Sequence, residues 1–320
     1  VDIWHGLAEV PSDMQGCVAT IGVFDGVHKG HQALIRAAVT HAQDQGARCV
    51  MVTFDPHPIS VFLPGQAPTQ LTSLQQRCAL AEELGIDAVL VVNFTRELAG
   101  LSPELYVTSL LADTLHATAV FVGENFTFGR GGEANAHTLR ELGARHGIAV
   151  TIVDLLRQDG QPLCSSLVRD LLAQGDVSGA AQVLGRNYSV TAKIVHGQGR
   201  GGAQLGYPTA NQYFAESVAL PVDGVYAGWV TVVEDCTIDG DIAARQAYPA
   251  AISVGTNPTF GDHPRSVESF IIGRDADLYG RTATVEFVEH LRPMVKFEGV
   301  DDLLEAMGRD VARAREILGA

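Results

Sequence analysis

Apolar residues recur along the first 186 positions in two alternating textures. Short, nearly unbroken runs at Cys17–Phe24, Arg48–Phe54, Ala88–Val92, Ala119–Gly123 and Ala149–Asp154 have the length and composition of buried strands. Between them the period becomes helical. In Gly30–Gln45 the side chains of Leu34, Ile35, Ala38, Val39 and Ala42 fall on one face, and Thr72-Ser73-Leu74-Gln75 opens a second helix with a capping-box pattern. Further helices are predicted near 102–115 and 134–146. Repeated strand–helix units of this length predict a parallel sheet covered by helices on both faces. Such sheets take ligands beyond the carboxyl ends of their strands, so the loops at 24–31, 54–58 and 123–129 should share one rim.

After about Gly185 the texture changes. Ser189–His196, Val225–Val233, Ala250–Val254, Val267–Ile272 and Ala283–Val288 read as strands separated by glycine, proline and aspartate, with little helix between them. This is the pattern of a compact antiparallel barrel. A last helix follows, with Val300, Leu303, Leu304, Met307, Val311 and Leu318 on one stripe. The expected fold class is therefore α/β plus β: an N-terminal domain at 1–186 with a parallel sheet, and a C-terminal barrel with its helix at 187–320.

Composition narrows the function. The 320 residues carry 22 basic and 37 acidic side chains, a net charge of −15, and acidic residues outnumber basic ones in both halves. A face built for a nucleic-acid backbone is not expected. The 5 cysteines, Cys17, Cys49, Cys78, Cys164 and Cys236, are odd in number and widely spaced, which argues against a disulfide framework and for a reducing compartment. No apolar run approaches the roughly 18–20 residues of a membrane span, and Val1–His5 lacks a signal-peptide pattern. The expectation is a cytoplasmic protein with neither a nucleic-acid nor a membrane partner; a homo-oligomer is left open.

The first candidate chemistry lies at Gly22-Val23-Phe24-Asp25-Gly26-Val27-His28-Lys29-Gly30-His31, where a strand hands over to a helix. Gly26 and Gly30 permit a sharp turn and close approach of a ligand. The helix N-terminus suits a phosphate, and His28, His31 and Lys29 stand ready to contact one. Taken alone, these residues are equally a glycine-rich turn with two surface histidines. Zinc is a poorer fit without further ligands, and no Walker-type phosphate loop is present.

The segment Phe24–His31 resembles the H-x-G-H signature of the nucleotidyltransferase superfamily. With Thr53-Phe54-Asp55-Pro56-His57-Pro58 and Gly123-Glu124-Asn125-Phe126-Thr127-Phe128-Gly129, it resembles the FMN adenylyltransferase half of the bifunctional prokaryotic FAD synthetases (riboflavin kinase/FMN adenylyltransferase). Ser165-Ser166-Leu167-Val168-Arg169 is similar to that family's S-T-x-x-R segment. Here Ser166 stands in place of threonine and Leu167 in place of a frequent second arginine, while Asn125 occupies a position that is often aspartate. The resemblance implies a Rossmann-like fold. It also implies ATP contacts from Gly22, Phe24, Asp25, Gly26, His28, Lys29, Gly30, His31, Ser165, Ser166 and Arg169, and flavin contacts from Phe54, Pro56, His57, Pro58, Phe62, Asn125, Phe126 and Phe128. Of these, His28, His31, Asn125 and Arg169 would act in catalysis.

The second candidate site begins at Gly197–Gly206, five glycines in ten residues. It formally satisfies G-x-G-x-x-G, but Gly206 and Pro208 forbid the helix that a dinucleotide fold needs next. A flap whose amides cover phosphates and a plain loop both remain open. In Pro208-Thr209-Ala210-Asn211 a hydroxyl and a carboxamide two residues apart on an extended segment share a side and present hard oxygens suited to Mg²⁺. This tetrad resembles the P-T-A-N motif of riboflavin kinase, and the likeness runs on through Gly255–Phe260, Val267-Glu268, Asp277–Gly280, Leu291-Arg292-Pro293 and Lys296-Phe297. It implies ATP binding by Gly197, Gly199, Arg200, Gly201, Gly206, Pro208, Thr209 and Asn211, Mg²⁺ at Thr209 and Asn211, flavin binding by Glu268, Arg292 and Phe297, and Glu268 as the base. Phe270 stands where histidine is common.

The whole resemblance implies two reactions. In the first, riboflavin is phosphorylated by ATP to FMN; in the second, FMN is adenylylated by another ATP to give FAD and pyrophosphate. A non-catalytic flavin or nucleotide sensor on the same scaffold is the alternative. A transferase for a pantetheine or nicotinate acceptor would have no use for the barrel.

Overall fold

The computed structural model describes residues 1–196, 208–256 and 265–320. The described chain separates into two compact units, Val1–Ser165 and Ser166–Ala320.

The first unit is built on one parallel sheet. Its strands are β1 (Asp2–His5), β2 (Cys17–Ile21), β3 (Arg48–Asp55), β4 (Ala88–Asn93), β5 (Ala117–Gly123) and β6 (Ala149–Val153), in the spatial order β1-β4-β3-β2-β5-β6. Residues of β2 alternate between two cores. Cys17, Ala19 and Ile21 pack with Tyr106, Val107, Leu110 and Leu139 on one face, while Val18 packs with Ile35, Ala38 and Ala42 on the other. That two-sided burial explains why the central strands read as continuous apolar runs rather than alternating ones.

Five of the six strands were expected. β1 adds an edge strand too short to show a pattern, pinned by buried Trp4 opposite Leu90 and by the Arg48 guanidinium, which lies over the Trp4 ring and bonds the Asp2 carboxylate. Helix α1 (Lys29–Gln45) buries Leu34, Ile35, Ala38, Val39 and Ala42, the predicted face. Helix α2 (Leu74–Glu83) starts one residue later than the capping box suggested. Ser73 is the N-cap and Gln76 its reciprocal partner, so Thr72 lies outside the box. Helix α3 is Ala136–Arg145.

The second unit opens with helices α4 (Ser165–Ala173) and α5 (Val177–Leu184). Its strands are β7 (Tyr188–Lys193), β8 (Ala210–Phe214), β9 (Gly224–Val232), β10 (Ala247–Thr256), β11 (Arg265–Ile271) and β12 (Thr282–Pro293). They run antiparallel in the order β7-β12-β9-β10-β11-β8. A bridge between Val195 and Asn211 brings the two edges together, so the barrel is nearly closed. β8 was missed because its polar residues break the apolar pattern. Gln212 is only 1% exposed and donates to the Ala192 and Ala283 carbonyls inside the barrel.

The final helix α6 (Val300–Leu318) keeps most of the predicted stripe: Leu303, Leu304 and Met307 are half-buried, and Val311 and Leu318 pack on the core that holds Ala227, Ile272 and Ala314. Val300 is exposed, and the fully buried residues Ala306, Asp310 and Ala314 lie outside the predicted set. Asp310 accepts three hydrogen bonds from Arg292 at 2.7–3.1 Å. A buried carboxylate paired with a strand arginine is invisible to a search for apolar periodicity.

Candidate active sites

The carboxyl ends of β2, β3 and β5 open onto a cavity of about 460 Å³ in the first unit. Its lining includes Gly22, Phe24, His28, Gly30 and His31 from the first motif, Phe54, His57, Pro58 and Phe62 from the second, and Asn125, Phe126 and Phe128 from the third. The three loops expected on one rim do share it.

His28 is the N-cap of α1: its Nδ1 accepts the His31 backbone N–H at 3.3 Å. In the neutral ring the proton therefore sits on Nε2. The two imidazoles stack, with centroids 3.7 Å apart and planes 23° apart. Nδ1 of His31 is out of contact with solvent and has no hydrogen-bond partner. Burial, reinforced by His28 and then Arg77, holds the His31 pKa well below the ordinary imidazole range, so this ring is neutral at pH 7. Gly30 is needed for close approach, since a Cβ there would lie 3.1 Å from the His28 ring and 3.2 Å from the Leu163 carbonyl.

Much of the remaining lining is aromatic. Phe126 and Phe128 lie nearly parallel with centroids 5.6 Å apart, and Phe94 meets both Phe54 and Phe62 edge-on. Phe94 and Tyr106 also line the cavity, as does the run Val153–Leu156 with Leu163 and Cys164. Sequence reasoning missed these. For Phe94 and Val153–Leu156 the available signal was their position at the carboxyl ends of β4 and β6; Tyr106, Leu163 and Cys164 offered none.

Other predicted residues lie outside the lining. Asp25 is 3% exposed, and its carboxylate accepts the backbone N–H groups of Leu71 and Thr72. The Ser165 hydroxyl donates to the Asp25 carbonyl at 2.8 Å. Gly26, Lys29 and Pro56 do not line the cavity either. Ser166 is exposed and Arg169 half-buried on α4; both belong to the second unit.

In the barrel, β8 pairs with β11 so that Asn211 lies directly opposite Glu268. Asn211 donates through Nδ2 to the Thr209 carbonyl at 3.0 Å and approaches the Thr209 hydroxyl at 3.5 Å. Strand pairing thus sets Glu268 opposite Asn211, 57 positions earlier in the chain, with Thr209 just before the same strand. Burial pushes the Glu268 carboxyl above its usual range, and a 3.4 Å hydrogen bond from the Ser266 hydroxyl opposes that shift. Arg292 is engaged by Asp310 and lies over the Phe297 ring, 5.5 Å from its centroid. Pro208 is exposed. Gly197, Gly199, Arg200, Gly201 and Gly206, with the 257–260 stretch, lie outside the described residues. Among the described residues no cluster of three or more histidine, cysteine or acidic side chains could hold a metal ion.

Comparison with known proteins matches residues 10–167 to FAD synthetase and residues 184–318 to riboflavin kinase. The bifunctional riboflavin kinase/FMN adenylyltransferase of Escherichia coli K12 is 31% identical over 98% of this chain and 96% of its own length. The chain belongs to that family. The Pseudomonas fluorescens relative of the same name is 34% identical over the same shares. A crystal structure from Streptococcus pneumoniae, described as a macrolide-efflux protein, is 27% identical and covers 98% of this chain and 99% of its own, with a TM-score of 0.85. The efflux description belongs to that protein; among the described residues here no helix is long and apolar enough to cross a membrane.

Proposed function

We propose that the chain makes FAD from riboflavin in two steps on two ATP molecules, with a catalytic boundary near residue 186. The observation that carries the first-unit assignment is that one cavity is lined both by stacked imidazoles at a helix N-terminus and by the five phenylalanines Phe54, Phe62, Phe94, Phe126 and Phe128. The imidazoles suit a polyphosphate and the phenylalanines a flat isoalloxazine ring.

In adenylyl transfer, an FMN phosphate oxygen attacks the α-phosphorus of ATP and pyrophosphate leaves. No covalent enzyme intermediate is required, so alignment and charge stabilisation carry the step. His28 donates from Nε2 to the phosphates, neutral His31 supports it from behind, and Asn125 orients the acceptor. Phe54, Phe62, Phe126 and Phe128 hold the ring.

In the kinase step, Glu268 accepts the proton of the riboflavin 5′-hydroxyl as that oxygen attacks the γ-phosphorus of ATP, whose bond to the β,γ-bridging oxygen breaks to release ADP. Its depressed acidity makes it a better base than an exposed glutamate. Thr209 and Asn211 supply two neutral hard oxygens, too few to hold a bare ion, and this fits Mg²⁺ carried largely by nucleotide phosphates. The ion would neutralise charge on those phosphates. Arg292 and Phe297 flank the flavin. The setting is cytoplasmic, consistent with a substrate pool of ATP and free riboflavin. Chromatography after incubating the chain with riboflavin, ATP and Mg²⁺ tests the reading: FMN should appear first and FAD after it, and unchanged riboflavin would refute it.

A further inference from the structure

The turn that carries His28 has an unusual backbone. Phe24 (φ 53°), Gly26 (φ 81°) and Val27 (φ 40°) are all left-handed. For phenylalanine and valine that conformation costs roughly 1–3 kcal/mol each and persists only where the surroundings impose it. The imposing groups come from a segment outside every motif singled out in the sequence for nucleotide binding. Gly26 donates its N–H to Thr72 Oγ1 at 3.0 Å, and the same hydroxyl donates to Asp25 Oδ1 at 3.2 Å. The Asp25 carboxylate also accepts the N–H groups of Leu71 and Thr72 at 3.0–3.1 Å. At the near end of the turn, Arg77 Nη1 donates to Thr53 Oγ1 at 2.9 Å, and Thr53 donates to the Val23 carbonyl at 3.0 Å. Thr53, Thr72 and Arg77 are all buried. Ser73 caps α2, which leaves the Thr72 hydroxyl to the turn.

We propose that Thr72, seconded by Arg77 acting through Thr53, is a positioning residue for adenylyl transfer: segment 71–77 clamps turn 23–27 and thereby sets the His28 imidazole. The inference rests on the adenylyltransferase reading of the first unit. Thr72 does not line the cavity, so it acts only through the turn. Loss of its hydroxyl removes the acceptor for the Gly26 N–H and a donor to Asp25 in a buried setting, where each orphaned group carries a penalty. The turn then relaxes toward ordinary φ values and carries His28 with it. A displacement near 1 Å at a catalytic group costs on the order of 100-fold in rate. Because the lost alignment matters most where charge develops, kcat falls while the KM for ATP stays close to its starting value.

The test uses the full chain with Thr72→Val and Thr72→Ser, assayed for FAD formation from FMN across ATP concentrations. FMN formation from riboflavin by the same samples reports intact barrels, and amide hydrogen exchange at Gly26 reports the clamp. The expected result for Thr72→Val is a kcat for FAD formation lowered about 10- to 100-fold, with KM for ATP near its starting value, faster exchange at Gly26 and unchanged FMN formation. Thr72→Ser should restore most of the rate. Starting-level kcat in Thr72→Val, or a loss that serine does not rescue, overturns the proposal. Should Thr72→Val leave the first unit unfolded, Asp25→Asn keeps the side chain's shape while weakening the same clamp, and undiminished kcat there overturns it as well. Failure of the unsubstituted chain to make FAD would be a different result: it would remove the adenylyltransferase reading, and the positioning role with it.

Discussion

Burial moves two candidate catalytic groups toward neutrality from opposite directions. Glu268 is raised above the normal carboxylate range, chiefly by desolvation. As a base it must be ionised, so riboflavin phosphorylation should fall as pH drops through that raised value. The acid limb of its kcat/KM profile is expected above the usual 4.5 of a glutamate. Ser266→Ala removes the hydrogen bond that opposes the shift and should move the limb further up, whereas a limb unmoved or moved down would exclude Ser266 as a modulator. Glu268→Gln should cost the kinase roughly 10²- to 10⁴-fold and leave adenylylation of supplied FMN intact. His31, by contrast, is kept unprotonated chiefly by burial, with its neighbours His28 and Arg77 adding to the effect. FAD formation should therefore show no titration of His31 near 6.5, a point that a pH–rate comparison with His31→Gln can check.

Elements place these groups by packing rules of differing visibility. Helix α1 was legible down to its five buried side chains, because a helix against a sheet buries one regular face. The stacked histidines were legible only as a motif, and the turn before them is bonded to distant partners, 46 or more residues away at Leu71, Thr72 and Ser165. No single-sequence period reports such a contact. The same holds for Gln212 in the barrel and for Asp310 beneath α6, polar residues whose burial makes sense only beside their partners. Two outcomes follow at this scale. Gly30→Ala should press a methyl group against the His28 ring and lower the FAD-forming kcat about tenfold or more, by the sensitivity of rate to alignment, with FMN formation unaffected. Asp310→Ala leaves Arg292 half-buried and unpaired. It should destabilise the barrel unit by about 2–4 kcal/mol, below the figure for a fully dry pair, as read from the denaturant midpoint of that unit.

Across the whole molecule, the change from strand–helix alternation to strand–turn texture announced two units of unlike architecture. It placed the change near 186, while the compact division falls between Ser165 and Ser166 because α4 and α5 group with the barrel. Helices carry the same signature whichever neighbour they pack on, so texture alone does not assign them. The family's order of domains, FAD synthetase then riboflavin kinase, runs opposite to the order of the reactions. FMN must therefore pass from a site encoded late to one encoded early, and nothing in that sequence of steps requires the two to share a residue. The most direct measurement mixes two full-length variants, Glu268→Gln and His28→Ala/His31→Ala, with riboflavin, ATP and Mg²⁺. Neither alone should convert riboflavin to FAD, and the mixture should, through FMN released by one and adenylylated by the other. A mixture as inactive as its parts, with each variant having lost both half-reactions, would contradict two separable active sites.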